Sequence, residues 1–252
     1  MRKLLGGSVG VTAALAVALI AMAGLAMAEK PVRVVVDEIE GIFNGGFEPK
    51  VLSKTKLTPV TFNVSAEIKH LKGEHPPALK EFILEGDKNA SINVKGLPTC
   101  TSGQLQSQTS AAARKICGPS LVGSGKTDVE VKFPEQEPFM AKSELLAFNG
   151  GAKGGVTTLF VHAYLTAPIT AAVVTTVKIK KIKKGRFGLE SVATIPKIAG
   201  GSGSVTFFTL TLKKGIVSAM CKDGKLKARG EAIFADSTRL EGEVIRACTP
   251  KG

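Results

Sequence analysis

From Val60 to Lys69 the chain alternates without a break: Val60, Phe62, Val64, Ala66 and Ile68 are apolar, while Thr61, Asn63, Ser65, Glu67 and Lys69 are polar. A period of two places the two sets on opposite faces of a strand, so this segment predicts a strand with one side in a core and the other in water. The pattern recurs with Val129, Val131 and Phe133 set against Asp128, Glu130 and Lys132. It recurs again with Leu226, Ala228, Gly230, Ala232 and Phe234 against Lys227, Arg229 and Glu231, and with Leu240, Gly242 and Val244 against Glu241 and Glu243. Further strands are expected at residues 32–36, 145–148, 157–165, 172–182 and 205–212, and at 82–84 turning through Gly86-Asp87-Lys88-Asn89 into 92–94. One short helix is expected at residues 110–116, with Ser110 as its cap and Cys117-Gly118-Pro119 as its stop. No stretch of Pro, Ser or Gly divides residues 29–252. The expected fold is therefore a single β-rich domain, an antiparallel β-sandwich or open barrel with one short helix.

The first residues break this pattern. Arg2 and Lys3 precede an uncharged Ala/Leu/Val/Gly run that ends in Ala26-Met27-Ala28, followed by Glu29 and Lys30. Basic, apolar and small-x-small segments in that order read as a secretory signal peptide over residues 1–28, cleaved after Ala28. A retained anchor is the alternative, because residues 4–28 are long enough to span a bilayer. Gly6, Gly7, Ser8, Gly10 and Thr12 dilute that run, and cleavage is the expectation. No cysteine lies near the cut, which argues against a lipoprotein. Later apolar runs are all interrupted by Lys, Glu or Gly, so the rest of the chain is expected to be soluble, in the periplasm, at the cell surface or secreted.

Cys100, Cys117, Cys221 and Cys248 form an even set, which in an exported chain favours disulfides over metal ligation. Three connectivities are open, and proximity in sequence favours Cys100 with Cys117 and Cys221 with Cys248. A zinc site fails on spacing, since no C-x-x-C pair occurs and His70, His75 and His162 lie away from the cysteines.

The formal net charge is +13, and its densest run is Lys178, Lys180, Lys181, Lys183, Lys184 and Arg186, interleaved with Ile179 and Ile182. On a strand these groups would face an anionic surface such as envelope polymers or lipid head groups. Solvated lysines guarding an edge strand are the plainer reading. Nucleic acid is disfavoured as a partner: the chain has no Trp and one Tyr on which bases could stack.

Gly123-Ser124-Gly125-Lys126-Thr127 has the tail of a phosphate-binding loop, but Ser120 stands where the leading glycine belongs, and a strand follows instead of a helix. It reads as a plain turn. His162 lies in a strand pattern and reads as a hydrogen-bonded wall residue, while His70 and His75 read as exposed loop residues. Glu135 and Glu137, between Pro134 and Pro138, supply too few oxygens for calcium. Asn63-Val64-Ser65 and Asn89-Ala90-Ser91 match the glycosylation acceptor pattern. No nucleophile elbow or H-E-x-x-H pair occurs, so no cofactor, no metal and no catalytic residue is expected.

Several features, taken in order, resemble an uncharacterised family of exported bacterial proteins. They are Gly96-Leu97-Pro98 before Cys100, Cys117-Gly118 with Leu121-Val122-Gly123-Ser124-Gly125, Phe133-Pro134-Glu135, Leu146-Ala147-Phe148-Asn149-Gly150, Cys221, Phe234-Ala235-Asp236 and Cys248. The resemblance implies export, a disulfide-stapled β fold and bacterial origin, and assigns no activity to any residue.

The leading expectation is a non-enzymatic exported protein that associates with the cell envelope through its basic face. The second is a soluble carrier whose β sandwich or barrel encloses a small lipid-like molecule; a large apolar cavity would favour it and a filled core would exclude it. The third is a hydrolase, which would need a polar cleft gathering His162 or His70 with a carboxylate and a nucleophile.

Overall fold

The structure is a computed structural model that describes residues 29–252. The expected signal peptide, residues 1–28, lies outside the described residues. The chain begins with β1 (Val32–Val36), β2 (Ile39–Glu48), β3 (Val51–Ser53), β4 (Thr58–His70), β5 (Leu79–Asp87) and β6 (Ala90–Ile92). Two helices follow, α1 (Ser102–Leu105) and α2 (Ser110–Cys117). The remainder is strand: β7 (Leu121–Val131), β8 (Phe139–Lys153), β9 (Val156–Leu165), β10 (Ala171–Lys184), β11 (Phe187–Thr194), β12 (Gly203–Ala219), β13 (Lys225–Phe234), β14 (Arg239–Ala247) and β15 (Thr249–Lys251).

The fold is mainly β and antiparallel, as the alternation predicts. One sheet runs in the order β1-β2-β4-β12-β7-β8-β9-β10-β11-β5-β13-β14, and its two ends come together in a nearly closed barrel. In β4 the apolar set faces in, with Val60, Ala66 and Ile68 buried and Asn63 and Lys69 exposed. β8 departs from alternation because Leu145, Leu146, Ala147 and Phe148 are all buried. Its inner side chains enter the barrel, while Leu146 and Phe148 pack beneath α1 and α2 with Leu105, Ala113 and the Cys100–Cys117 disulfide.

α2 matches the expected helix, but its cap is Thr109, not Ser110: the Thr109 hydroxyl accepts from the Ala112 N–H at 3.1 Å. α1, with a capping box between Thr101 and Gln104, is a single turn too short to show a periodic pattern. In the segment 82–94 the turn stands where expected but the strand bounds differ: β5 spans Leu79–Asp87, and the second strand is β6 at Ala90–Ile92 in place of 92–94, paired with β12 at Ser218 and Ala219. From β6 the chain crosses one end of the barrel, where Val94 packs on Leu159, Ile179, Leu212 and Ile216. Asn149 then ties it down by donating to the carbonyls of Leu97 and Pro98 at 3.3 and 2.9 Å. The opposite end is crossed by the β11–β12 connection, whose Ile198 packs on Val129, Val131, Ala141 and Leu165. Residues 71–78 add a second strap there, held by His75 Nδ1 against Glu130 at 2.7 Å and by the Ser204 hydroxyl on the Pro77 carbonyl at 2.8 Å.

The seam between β1 and β14 has side-chain packing but no backbone ladder. Gly242 makes that approach possible, since a Cβ there would lie 2.9 Å from Phe43 and 3.1 Å from Val32. Lower down, β3 and β15 form a short parallel ladder from Val51↔Thr249 to Ser53↔Lys251. The Cys221–Cys248 disulfide lies beside it among Phe47, Leu52, Val60 and Leu226, and its Cα atoms are 6.0 Å apart. Cys221 lies in the β12–β13 connection and Cys248 between β14 and β15, so this disulfide pins those two segments together near the end of the seam.

Candidate binding cavity and surface charges

A ring of twelve strands is wider than the eight whose side chains just fill a barrel. The inward positions here do not fill it. Gly45, Gly86, Ala228 and Gly230 stand where bulky side chains would otherwise meet, and a chamber of about 190 Å³ opens beside them, walled by Phe47, Val60, Phe62, Leu159, Ile179 and Leu212. A second chamber of about 150 Å³ lies toward the other end, walled by Leu79, Val129, Leu145, Leu165, Val173 and Ile198. The two share Val64, Phe82, Leu84, Val161, Val177, Ser191 and Leu210, which form a waist between them. Natural cores hold few voids larger than one water, and an apolar cavity near 150 Å³ is large enough to stay dry and admit a small aromatic molecule. The inward alternation thus builds a two-chambered apolar slot with both mouths strapped.

The basic run divides in two. Lys180 pairs with Glu190 at 2.7 Å, Lys184 with Glu85 at 2.8 Å, and Arg186 with Asp87 at 2.6 Å and with Asp223. Glu85 is buried on the outer face, where Arg229 also donates to it from Nε at 2.7 Å. Burial pushes the Glu85 carboxyl up, but the hydrogen bonds from Lys184 and Arg229 outweigh it and leave it below the usual carboxylate range. Arg186 likewise holds Asp223 down to about 2. Lys178, Lys181 and Lys183 are exposed and, among the described residues, have no carboxylate within ion-pair distance. Three of the six candidate groups are thus committed to a carboxylate ladder that knits β10, β11, β5 and β13 together.

The cysteines form both disulfides in the pairing that sequence proximity favours. The phosphate-loop look-alike lies inside β7. There a Cβ at Gly125 would collide with the Thr209 carbonyl oxygen, and the Thr127 hydroxyl donates to the Phe207 carbonyl at 2.9 Å. These glycines serve strand packing. Of the two glycosylation-pattern asparagines, Asn63 is exposed and Asn89 is buried.

His162 is fully buried on the outer face of β9 beneath the helices, with Nε2 2.9 Å from the Gln108 carbonyl and Nδ1 unpartnered. Burial pulls its pKa below the ordinary imidazole value, against the opposing pull of the Gln108 hydrogen bond and of Glu144. The unfolded histidine then takes up a proton that the folded one refuses, so stability falls as pH drops below about 6.5. Amide exchange across residues 102–117 is expected to slow less on acidification than its intrinsic base-catalysed chemistry dictates, and His162→Gln should remove that excess; exchange that simply follows the intrinsic rate would contradict the assignment. His70 lies 3.6 Å from Glu38 and 3.8 Å from Glu74. Among the described residues, no histidine is hydrogen-bonded to a hydroxyl or thiol.

Reading β14 only as far as Val244 misses one inward residue. The same alternation carried one step further puts Arg246 inside, and the structure buries it at the edge of the first chamber. No protein-family model matches the chain, and no curated protein matches it.

Proposed function

We propose that this protein is a non-enzymatic extracytoplasmic carrier that encloses a small lipid-like molecule. The observation that carries this reading is the pair of adjoining apolar chambers inside a barrel whose two ends are strapped. Its polarity is opposite to that of a membrane-spanning barrel, which is apolar outside and polar within: here Lys180, Glu190, Glu85 and Arg229 face out while Val161, Val177 and Leu210 face in. Both disulfides fit an oxidising compartment, and no helix among the described residues is long and apolar enough to cross a membrane. Titration with neutral N-phenyl-1-naphthylamine is expected to give a saturable, salt-insensitive rise in fluorescence. No saturable rise would overturn the reading.

A second reading, association with an anionic envelope surface, draws on exposed Lys178, Lys181 and Lys183 together with the net charge of +13. Its signature would be retention on anionic vesicles that added salt reverses.

A further inference from the structure

We infer that Arg246 binds the head group of the ligand, and that the ligand is a single-chain amphiphile with an anionic head. This inference rests on the carrier reading and adds its chemistry. Leu240, Gly242, Val244 and Arg246 are the buried, inward residues of β14, and only the last is charged. The Arg246 side chain is 7% exposed and lines the first chamber, whose other walls are almost wholly apolar.

The guanidinium is not fully used by the protein. Its Nε donates to the Gly45 carbonyl at 2.5 Å, Nη1 to the Ile245 carbonyl at 2.9 Å and Nη2 to Asn44 Oδ1 at 2.5 Å. An arginine has five N–H donors, so one hydrogen on each Nη is left without an acceptor among the described residues. Two such hydrogens on one planar guanidinium are donors that the oxygens of a carboxylate or a related anion can accept from.

Charge is short at the same place. Glu29 is the carboxylate beside Arg246, at 3.3 Å, and it is also held by Lys50 at 2.8 Å and by the Ala247 N–H at 2.8 Å. Two cations therefore share one anion at the edge of an apolar chamber. A buried cation is stable only when paired, and an anionic head entering there would supply the missing charge while its chain occupies the chambers. Desolvation also lowers the pKa of Arg246, the strain that an added anion would relieve.

The test is displacement of N-phenyl-1-naphthylamine by dodecanoate, methyl dodecanoate and 1-dodecanol, all below their aggregation concentrations. Dodecanoate is expected to compete about tenfold or more better than its methyl ester, as one charge-assisted hydrogen-bonding site allows. Arg246→Gln should erase that preference while the neutral dye still binds. Glu29→Gln, which frees Arg246 from its internal anion, should widen the preference; this second variant keeps the test decisive if Arg246→Gln folds poorly. Equal competition by acid and ester in the native protein, with the dye bound, would overturn the role of Arg246 and leave the carrier reading intact. An anion preference that survives Arg246→Gln would place the anion on surface lysines and would equally overturn it. Failure of the dye and all three chains to bind would overturn both readings.

Discussion

Val177→Phe is expected to lower the affinity for N-phenyl-1-naphthylamine by about tenfold or more while leaving the melting temperature unchanged or slightly higher. Val177 faces inward on β10 at the waist and lines both chambers, so a ring at this position occupies the space that the ligand would need. In a well-packed core the added atoms would force neighbours off their rotamers at a cost of about 1–3 kcal/mol. Here they enter empty volume, and each Å³ of cavity removed recovers about 24 cal/mol. The two readouts therefore separate only if the chambers are the binding site. A variant that still binds the dye and melts several degrees lower would show a filled core and a site elsewhere.

Removal of the Cys221–Cys248 disulfide by paired serine substitutions is expected to cost about 3.5 kcal/mol on the chain-entropy model, or about 10 °C in melting temperature for a chain of this size. The bridge closes a separation of 27 residues. Its position gives the loss a wide reach, because the ring has no ladder between β1 and β14 and this bridge pins the β12–β13 connection to the end of β14 beside that gap. The β3–β15 ladder and Arg246 remain at the seam, so the barrel should still fold, but with faster amide exchange in β1 and β14. The Cys100–Cys117 bridge is different in kind: it closes the segment of α1 and α2 on itself where that segment packs on the outside of β8, and its loss should loosen that cover before the barrel. Melting within about 2 °C of the native protein after loss of Cys221–Cys248 would show that the seam is held by packing alone.

The outer carboxylate ladder bears on the envelope reading. A lysine already paired with a buried carboxylate such as Glu85 has less to offer a polyanion than its charge suggests, because binding must compete with an existing partner. The capacity for surface attraction thus rests on Lys178, Lys181 and Lys183 and on the overall charge, and not on the full run of six. The carrier reading does not depend on those groups, so the neutral dye and the anionic vesicle separate the two.

Alternation alone determined much of this protein. β4, β13 and β14 stand close to where a period of two puts them, because each has one face in the barrel and the other turned outward; the alternation from Asp128 finds only the end of β7, whose first half reads as a turn, and β1, β9 and β10 stand close to the other expected strands. The cysteine pairing also followed from local separation. Other elements were hidden for physical reasons. β2 carries Gly41, Gly45 and Gly46 at positions where neighbours crowd close or the interior opens, so its apolar pattern is broken by the packing it serves. β8 is expected only at residues 145–148, where the helical cover buries both of its sides, and not over its full length from Phe139 to Lys153. Whether residues 82–94 fold back or cross the barrel depends on β12, more than a hundred residues away, and no local pattern encodes that choice. Most of what bears on function was decided at this tertiary level. The ring size left the interior unfilled, the acidic strands beside β10 took up half of its basic run, and closure across the seam brought Glu29, Lys50 and Arg246 together at the edge of an apolar chamber.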